Sequence, residues 1–180
     1  TMTKTLTIRA EVVSFDTEPI ILVNSKDEDV GEMLKDDCHQ GDGKLQRAFS
    51  LFILNSSNQL LVHQRADSKP LWGGFWTNSC CSHPRVGETM EEAVARRSED
   101  ELGFSTETRF IYKFEYTAHF EYIGTEHELC SAFVGQSDGA PRINSQERRD
   151  SHRVIHAGVD PRLAVAHQPT TPLFASAWPL

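Results

Sequence analysis

Two short stretches hold residues whose types and spacing could do chemistry. In Thr77-Asn78-Ser79-Cys80-Cys81-Ser82-His83-Pro84, Cys81 and His83 stand two residues apart. A thiol and an imidazole so placed could bind a metal together, or divide into an acid and a ligand. The spacing alone is a weak signal, and adjacent cysteines are more often small buried side chains than catalysts. In Glu126-His127-Glu128 the two carboxylates also stand at i and i+2. On a strand they share a face, roughly 6–7 Å apart. Cys130 and Ala132 continue that face and are small and apolar. Two acids on such a face are costly unless a cation sits against them, and a metal would serve. A solvated strand end is the plainer alternative.

A basic set accompanies them. Arg65 and Lys69 follow an apolar run, and with Lys35 and Arg97 they could clamp a diphosphate. Separately, each would be an ordinary surface charge. His39 lies four residues after Lys35, on the same face if that segment is helical.

The elements that must position these residues can be read from their patterns. Ile8 to Val13 and Ile20 to Val23 read as two short strands around a turn, and Gly31 to Asp37 as a short helix. Ala48 to Asn55 and Gln59 to Gln64 read as a hairpin through the core. Pro70 to Trp76 is rich in Pro, Gly and Trp and reads as a loop. The clearest helix is Met90 to Leu102, with Thr89 and Glu92 as a capping box and Gly103 as the stop. Met90, Val94, Arg97 and Glu101 share one face of it. The apolar end should pack on the sheet and carry Arg97 and Glu101 inward; a surface i, i+4 ion pair is the bland reading. Arg109 to Tyr116 alternates, with Phe110, Tyr112, Phe114 and Tyr116 on one face, and Glu126 to Val134 is the next strand. Strand, helix, then further strands predict an α/β fold with a mixed sheet covered by helices. From Arg148 to Leu180 no period is visible, which predicts loop with one short helix.

Composition bounds the function. A length of 180 residues suits a single domain, residues 1–180, that needs no disulfide staples. The formal net charge of −8 argues against a general nucleic-acid binder, though basic residues can still converge on a small phosphorylated ligand. No apolar run approaches the roughly 18 residues that span a bilayer, and Thr1 to Ala10 holds no stretch of signal-peptide type. The four cysteines, Cys38, Cys80, Cys81 and Cys130, read as reduced thiols of a cytoplasmic protein. Oligomeric state is left open.

Taken together, the motifs resemble type I isopentenyl-diphosphate isomerase, a family of the Nudix superfamily. The resemblance runs from about Ile20 to Glu147, leaving 148–180 as an atypical tail. Its most specific part is Trp72-Gly73-Gly74-Phe75-Trp76-Thr77-Asn78-Ser79-Cys80-Cys81-Ser82-His83-Pro84, followed by Arg96-Arg97, Glu101-Leu102-Gly103 and Glu126-His127-Glu128. The helix is then a degenerate form of the Nudix box G-x5-E-x7-R-E-U-x-E-E-x-G-U. Ser82 stands for the first Gly, Glu88 for the first Glu, Arg96-Arg97 for Arg-Glu, and Asp100-Glu101 for Glu-Glu. Arg97 for a hydrolase carboxylate is a substitution the isomerases share.

The resemblance implies a Nudix-type mixed β-sheet sandwiched between helices, and interconversion of isopentenyl and dimethylallyl diphosphate in isoprenoid biosynthesis. It implies that Cys81 and Glu128 flank the reacting carbons and pass through a tertiary carbocation, with Tyr116 beside the carboxylate. It implies Lys35, Arg65, Lys69 and Arg97 as the diphosphate clamp, and Mg²⁺ held against the diphosphate by Glu101. His39, His83, Glu126 and Glu128 match ligands of a second divalent ion, Mn²⁺, Zn²⁺ or Mg²⁺. Two positions depart from the family pattern. The third histidine ligand, expected seven residues after His39, is Gln46. A Thr-Pro-Trp-like motif near the C-terminus reads Thr171-Pro172-Leu173, with Trp178 five residues further on. Both departures would impair turnover. The competing readings are a Nudix diphosphate hydrolase and a catalytically silent diphosphate-binding module.

Overall fold

A computed structural model describes residues 11–142, 144–155 and 169–176. Among them, nine strands form one mixed sheet, accompanied by three helices. The order along the chain is β1 (Pro19–Val23), β2 (Asp29–Leu34), α1 (Lys35–Cys38), β3 (Gln46–Leu54), β4 (Gln59–Arg65), β5 (Trp76–Thr77), β6 (Cys80–Ser82), α2 (Met90–Leu102), β7 (Thr108–Phe120), β8 (Gly124–Gln136), β9 (Arg148–Ile155) and α3 (Pro172–Ser176).

Strand β3 organises the sheet. Along one edge it pairs in parallel with β8 over its whole length, from Gln46 opposite Glu128 to Leu54 opposite Gln136. Along the other edge it meets β1 at Gln46, then β6 from Phe49 to Leu51, then β4 at Leu54. Such a strand is covered on both faces, which is why Ala48 to Ile53 reads as an unbroken run of small and apolar residues. Its side chains still alternate. Phe49, Leu51 and Ile53 meet Ala93, Val94 and Leu102 of α2, while Phe52 meets Phe174 of α3 on the opposite face. The sheet is thus sandwiched between helices, as the sequence predicts.

Helix α2 forms where expected. Thr89 and Glu92 exchange both capping-box bonds, and Gly103 closes the helix in the left-handed region at φ 74°. The other expectations need correction in places. Residues 31–34, read as the start of a helix, belong to β2, which pairs with β1, and the helix is one turn at Lys35–Cys38. Residues 11–15 are not a strand, while 8–10 lie outside the described residues. A bulge between Phe110 and Tyr112 moves Phe110 off the face of Tyr112, Phe114 and Tyr116 and onto that of Phe133. The largest correction is β9. Arg148–Ile155, expected as loop, pairs antiparallel with β4. The expected short helix near the C-terminus is α3, docked by a parallel bridge from Thr170 to Trp76. Burying Leu173 and Phe174 contributes about 1.5–3 kcal/mol each to that docking.

Candidate active site

The residues singled out by type and spacing converge on one cavity of about 330 Å³. Its wall includes Cys81, His39, His83, Glu126 and Glu128 together with Lys35, Arg65, Lys69 and Arg97. Tyr116, Gln46 and Glu101 lie behind that wall, each buried.

Cys81 and Glu128 come from strands that pair with opposite edges of β3. Strand alternation turns Cys81 toward the cavity side, against Tyr116, Cys130 and Leu173, while Cys80 packs under α2 with Val94 and Leu102. The adjacent cysteines therefore have different surroundings. Burial pushes the Cys81 thiol up to about 12, so it holds its proton at neutral pH. All four cysteines are free.

On β8, Glu126 and Glu128 share a face, and Tyr116 on β7 is the register partner of Glu128. The Tyr116 hydroxyl lies 2.9 Å from Glu126 Oε2 and 3.0 Å from Glu128 Oε2. It has one proton to donate and two carboxyl groups to receive it. Burial, then the like charge of Glu128, raises Glu126 above the usual carboxylate range, and burial raises Glu128 as well. The pair holds protons more readily than free carboxylates do.

His83 Nε2 lies 3.3 Å from Glu128 Oε1, yet it is not aligned for a hydrogen bond and is buried without one. Burial and the nearby Lys35 and Arg97 push His83 down to about 3, so its ring is neutral. His39 is lowered by burial and by His83, and its Nδ1 lies 3.2 Å from the Thr125 carbonyl. With the proton on Nδ1 it donates there, leaving Nε2 as a free lone pair. Gly124 permits this approach, because a Cβ at that position would come within 2.9 Å of the His39 carbonyl. Gln46, in register with Glu128, is fully buried, and neither its amide nitrogen nor its oxygen has a partner among the described residues. As placed, no three His, Cys, Asp or Glu side chains among the described residues converge in metal-holding geometry.

Cationic side chains line the same cavity. Lys35 Nζ donates to Ser14 Oγ at 2.6 Å, and Lys69 Nζ pairs with Glu147 Oε2 at 2.6 Å. Arg97 bonds Glu101 and the Val13 carbonyl, and Arg65 donates to the Leu71 carbonyl at 3.1 Å. Burial and the cations Lys69 and Arg97 lower Lys35. Burial also opposes charge on Glu101, but Arg97 and then Arg148 overcome it and hold its carboxyl at about 2. Glu147 and Arg148 are the members of this network that sequence reasoning missed. The only signal was a run of charges, Glu147-Arg148-Arg149-Asp150, of the kind usually exposed.

Leu173 lines the cavity where the resemblance expects an aromatic ring. Trp178 lies outside the described residues.

The NUDIX domain family matches residues 44–174. Isopentenyl-diphosphate Delta-isomerase 1 of Photorhabdus laumondii is 41% identical over 163 residues, covering 89% of this chain and 93% of its own. The chain belongs to the isopentenyl-diphosphate Delta-isomerase family. The Serratia proteamaculans isopentenyl-diphosphate Delta-isomerase is 45% identical over 72% of both chains. Among solved structures, the DR0079 protein of Deinococcus radiodurans superposes with a TM-score of 0.71 at 24% identity, covering 88% of this chain and 96% of its own, which supports the shared fold. No helix among the described residues is long and apolar enough to cross a membrane.

Proposed function

We propose that this chain interconverts isopentenyl diphosphate and dimethylallyl diphosphate, as the names of its relatives state for them. The observation that carries the reading is the shared cavity. A protonated thiol, two carboxyl groups raised by burial and four basic side chains line it together.

The basic set, Lys35, Arg65, Lys69 and Arg97, holds the diphosphate. Fixing it there places the short apolar tail against Cys81 and the Tyr116–Glu126–Glu128 group. One of Cys81 and Glu128 adds a proton to the double bond. The other takes one from the neighbouring allylic carbon, so the composition is unchanged and only the bond moves. Tyr116 holds the glutamate pair and relays its shared proton. The apolar wall of Leu71 and Leu173 keeps water from the intermediate cation.

The donor set around Glu128 fits a divalent ion. Among the described residues, His83 Nε2 and both polar atoms of Gln46 are buried and have no hydrogen-bond partner, an arrangement that is costly without a ligand. His39, Gln46, His83, Glu126 and Glu128 would hold it, and when bound it would offset the like charges of the two glutamates and orient Glu128. Two imidazoles with oxygen donors suit Mn²⁺ or Zn²⁺, with Mg²⁺ a poorer match to nitrogen. Glu101 does not fit the role of Mg²⁺ ligand, since cations already meet both of its oxygens. The free thiols accord with a reducing compartment, which we take to be the cytoplasm.

Incubation with isopentenyl diphosphate and a divalent ion should yield the allylic isomer. Release of monophosphate would instead mark a hydrolase, and binding without turnover a silent module. Leu173 in place of an aromatic ring favours the silent module over the hydrolase, and Arg97 in the box opposes hydrolysis.

A further inference from the structure

We propose that the basic set of this cavity binds its diphosphate ligand without a bridging Mg²⁺, and that Arg148 is the positioning residue that makes this so. The inference rests on the reading of that set as a diphosphate site.

Glu101 has two carboxyl oxygens, and each faces a guanidinium. Oε1 accepts from Arg97 Nη2, and Oε2 lies 3.7 Å from Arg148 Nη2. The side chain is 4% exposed and lies behind the cavity wall. Mg²⁺ needs carboxylate oxygen at about 2.0–2.1 Å in a nearly octahedral shell that retains several waters. To reach Glu101 it would have to enter between two buried cations, where like charges repel far more strongly than in water.

Arg148 is otherwise hard to account for. It is fully buried, and its Nε, Nη1 and Nη2 have no hydrogen-bond partner among the described residues. A buried guanidinium needs a counter-charge close by, and among the described residues Glu101 is the carboxylate within ion-pair distance. His63, buried nearby, stays neutral and adds no competing charge.

Charge balance gives the arrangement its consequence. Glu101 and Glu147 would by themselves cancel Arg97 and Lys69, with which they pair. Arg148 adds one more cation behind Glu101, so Arg97 presents positive charge to the cavity rather than a neutral ion pair. Lys35 and Arg65 extend that excess along the wall. The diphosphate then meets guanidinium and ammonium groups in place of a metal bridge.

The test is calorimetric titration of inorganic diphosphate into the full chain, once in EDTA and once in excess Mg²⁺. For the unaltered chain the Kd should change less than about threefold between the two buffers. Arg148→Met keeps the volume but removes the charge. It should bind about tenfold or more weakly in EDTA and regain most of that loss with Mg²⁺. Arg148→Lys should behave like the parent. A merely structural arginine would not create a Mg²⁺ dependence, so melting curves of both variants accompany the titrations. If Arg148→Met fails to fold, the Mg²⁺ response of the parent and of Arg148→Lys decides. Tightening of the parent by tenfold or more with Mg²⁺ overturns this inference and leaves the diphosphate reading standing. Absence of binding in both buffers overturns both.

Discussion

Glu101 and Glu128 are the same residue type and almost equally buried, Glu128 in the wall of the cavity and Glu101 behind it. Their carboxyl groups nevertheless move in opposite directions. Glu101 stands between Arg97 and Arg148 and is held down at about 2. Glu128 is raised, because burial outweighs the lowering pull of His39, of the Tyr116 hydroxyl and of Arg65 and Lys35. Burial penalises charge at both sites, and the neighbouring charge decides the outcome. The surroundings of Glu101 are therefore ionic and suited to holding an anion. Those of Glu128 favour the protonated form and are suited to moving a proton.

The sharpest way to break this contrast is at Cys81. Cys81→Ala should lower turnover about 10²–10⁴-fold, the range for losing a positioned proton-transfer group, with diphosphate affinity nearly unchanged. Cys80→Ala, on the α2 side, should leave turnover within a few-fold. Product assays and calorimetry on both variants check this, and equal loss in the two would remove Cys81 from the chemistry.

Substituting the two glutamates tests the contrast directly. Glu101→Gln leaves two buried guanidiniums short of a counter-charge and should cost about 3–5 kcal/mol in urea unfolding. Glu128→Gln relieves a raised carboxyl, so it should hardly lower stability while abolishing most turnover. If the stability losses came out reversed, the assignment of ionic surroundings to Glu101 and protonic ones to Glu128 would be wrong.

Gln46→His is a milder test of the metal reading. An imidazole beside Glu128 should tighten Mn²⁺ or Zn²⁺ binding about 10–100-fold, read by competition with a chromophoric chelator. Unchanged affinity would take residue 46 out of the ligand set.

The smallest effect concerns acid. Burial and Arg148 depress His63 to about 3 in the folded chain, against an ordinary value of 6.5. Between those pH values the unfolded chain binds the extra proton, so stability is full above about 6.5 and falls as pH drops toward 3. His63→Gln should remove about 1.4 kcal/mol per pH unit from that slope, measured by denaturation at several pH values. His39 and His83, also lowered, would retain the rest.

How much of this was legible in the sequence depended on where each signal lay. Helix α2 could be read to the residue because its capping box, inward face and glycine stop are all local. The cavity residues were legible through their motif string, which fixes identity without fixing contact. Strand β9 was not legible. Arg148, Arg149, Asp150 and Ser151 read as loop, yet backbone pairing to β4 does not depend on apolar side chains. Arg148 is buried only because Glu101, far away in sequence, waits beneath it. The bulge that turns Phe110 away from its neighbours was equally silent, since one extra residue leaves the alternation looking intact.

The place of β3 has a consequence for how this molecule would lose activity. The strands bearing Cys81 and Glu128 hydrogen-bond to its two edges, and Gln46 is its first residue. None of these groups can leave its position by the fraying of a peripheral hairpin. Amide exchange from Phe49 to Leu51 should need global opening, and the denaturant midpoint read by enzyme assay should coincide with that read by circular dichroism. Catalysis in this chain would then disappear in one cooperative step with the fold, with no window in which an inactive but folded form accumulates.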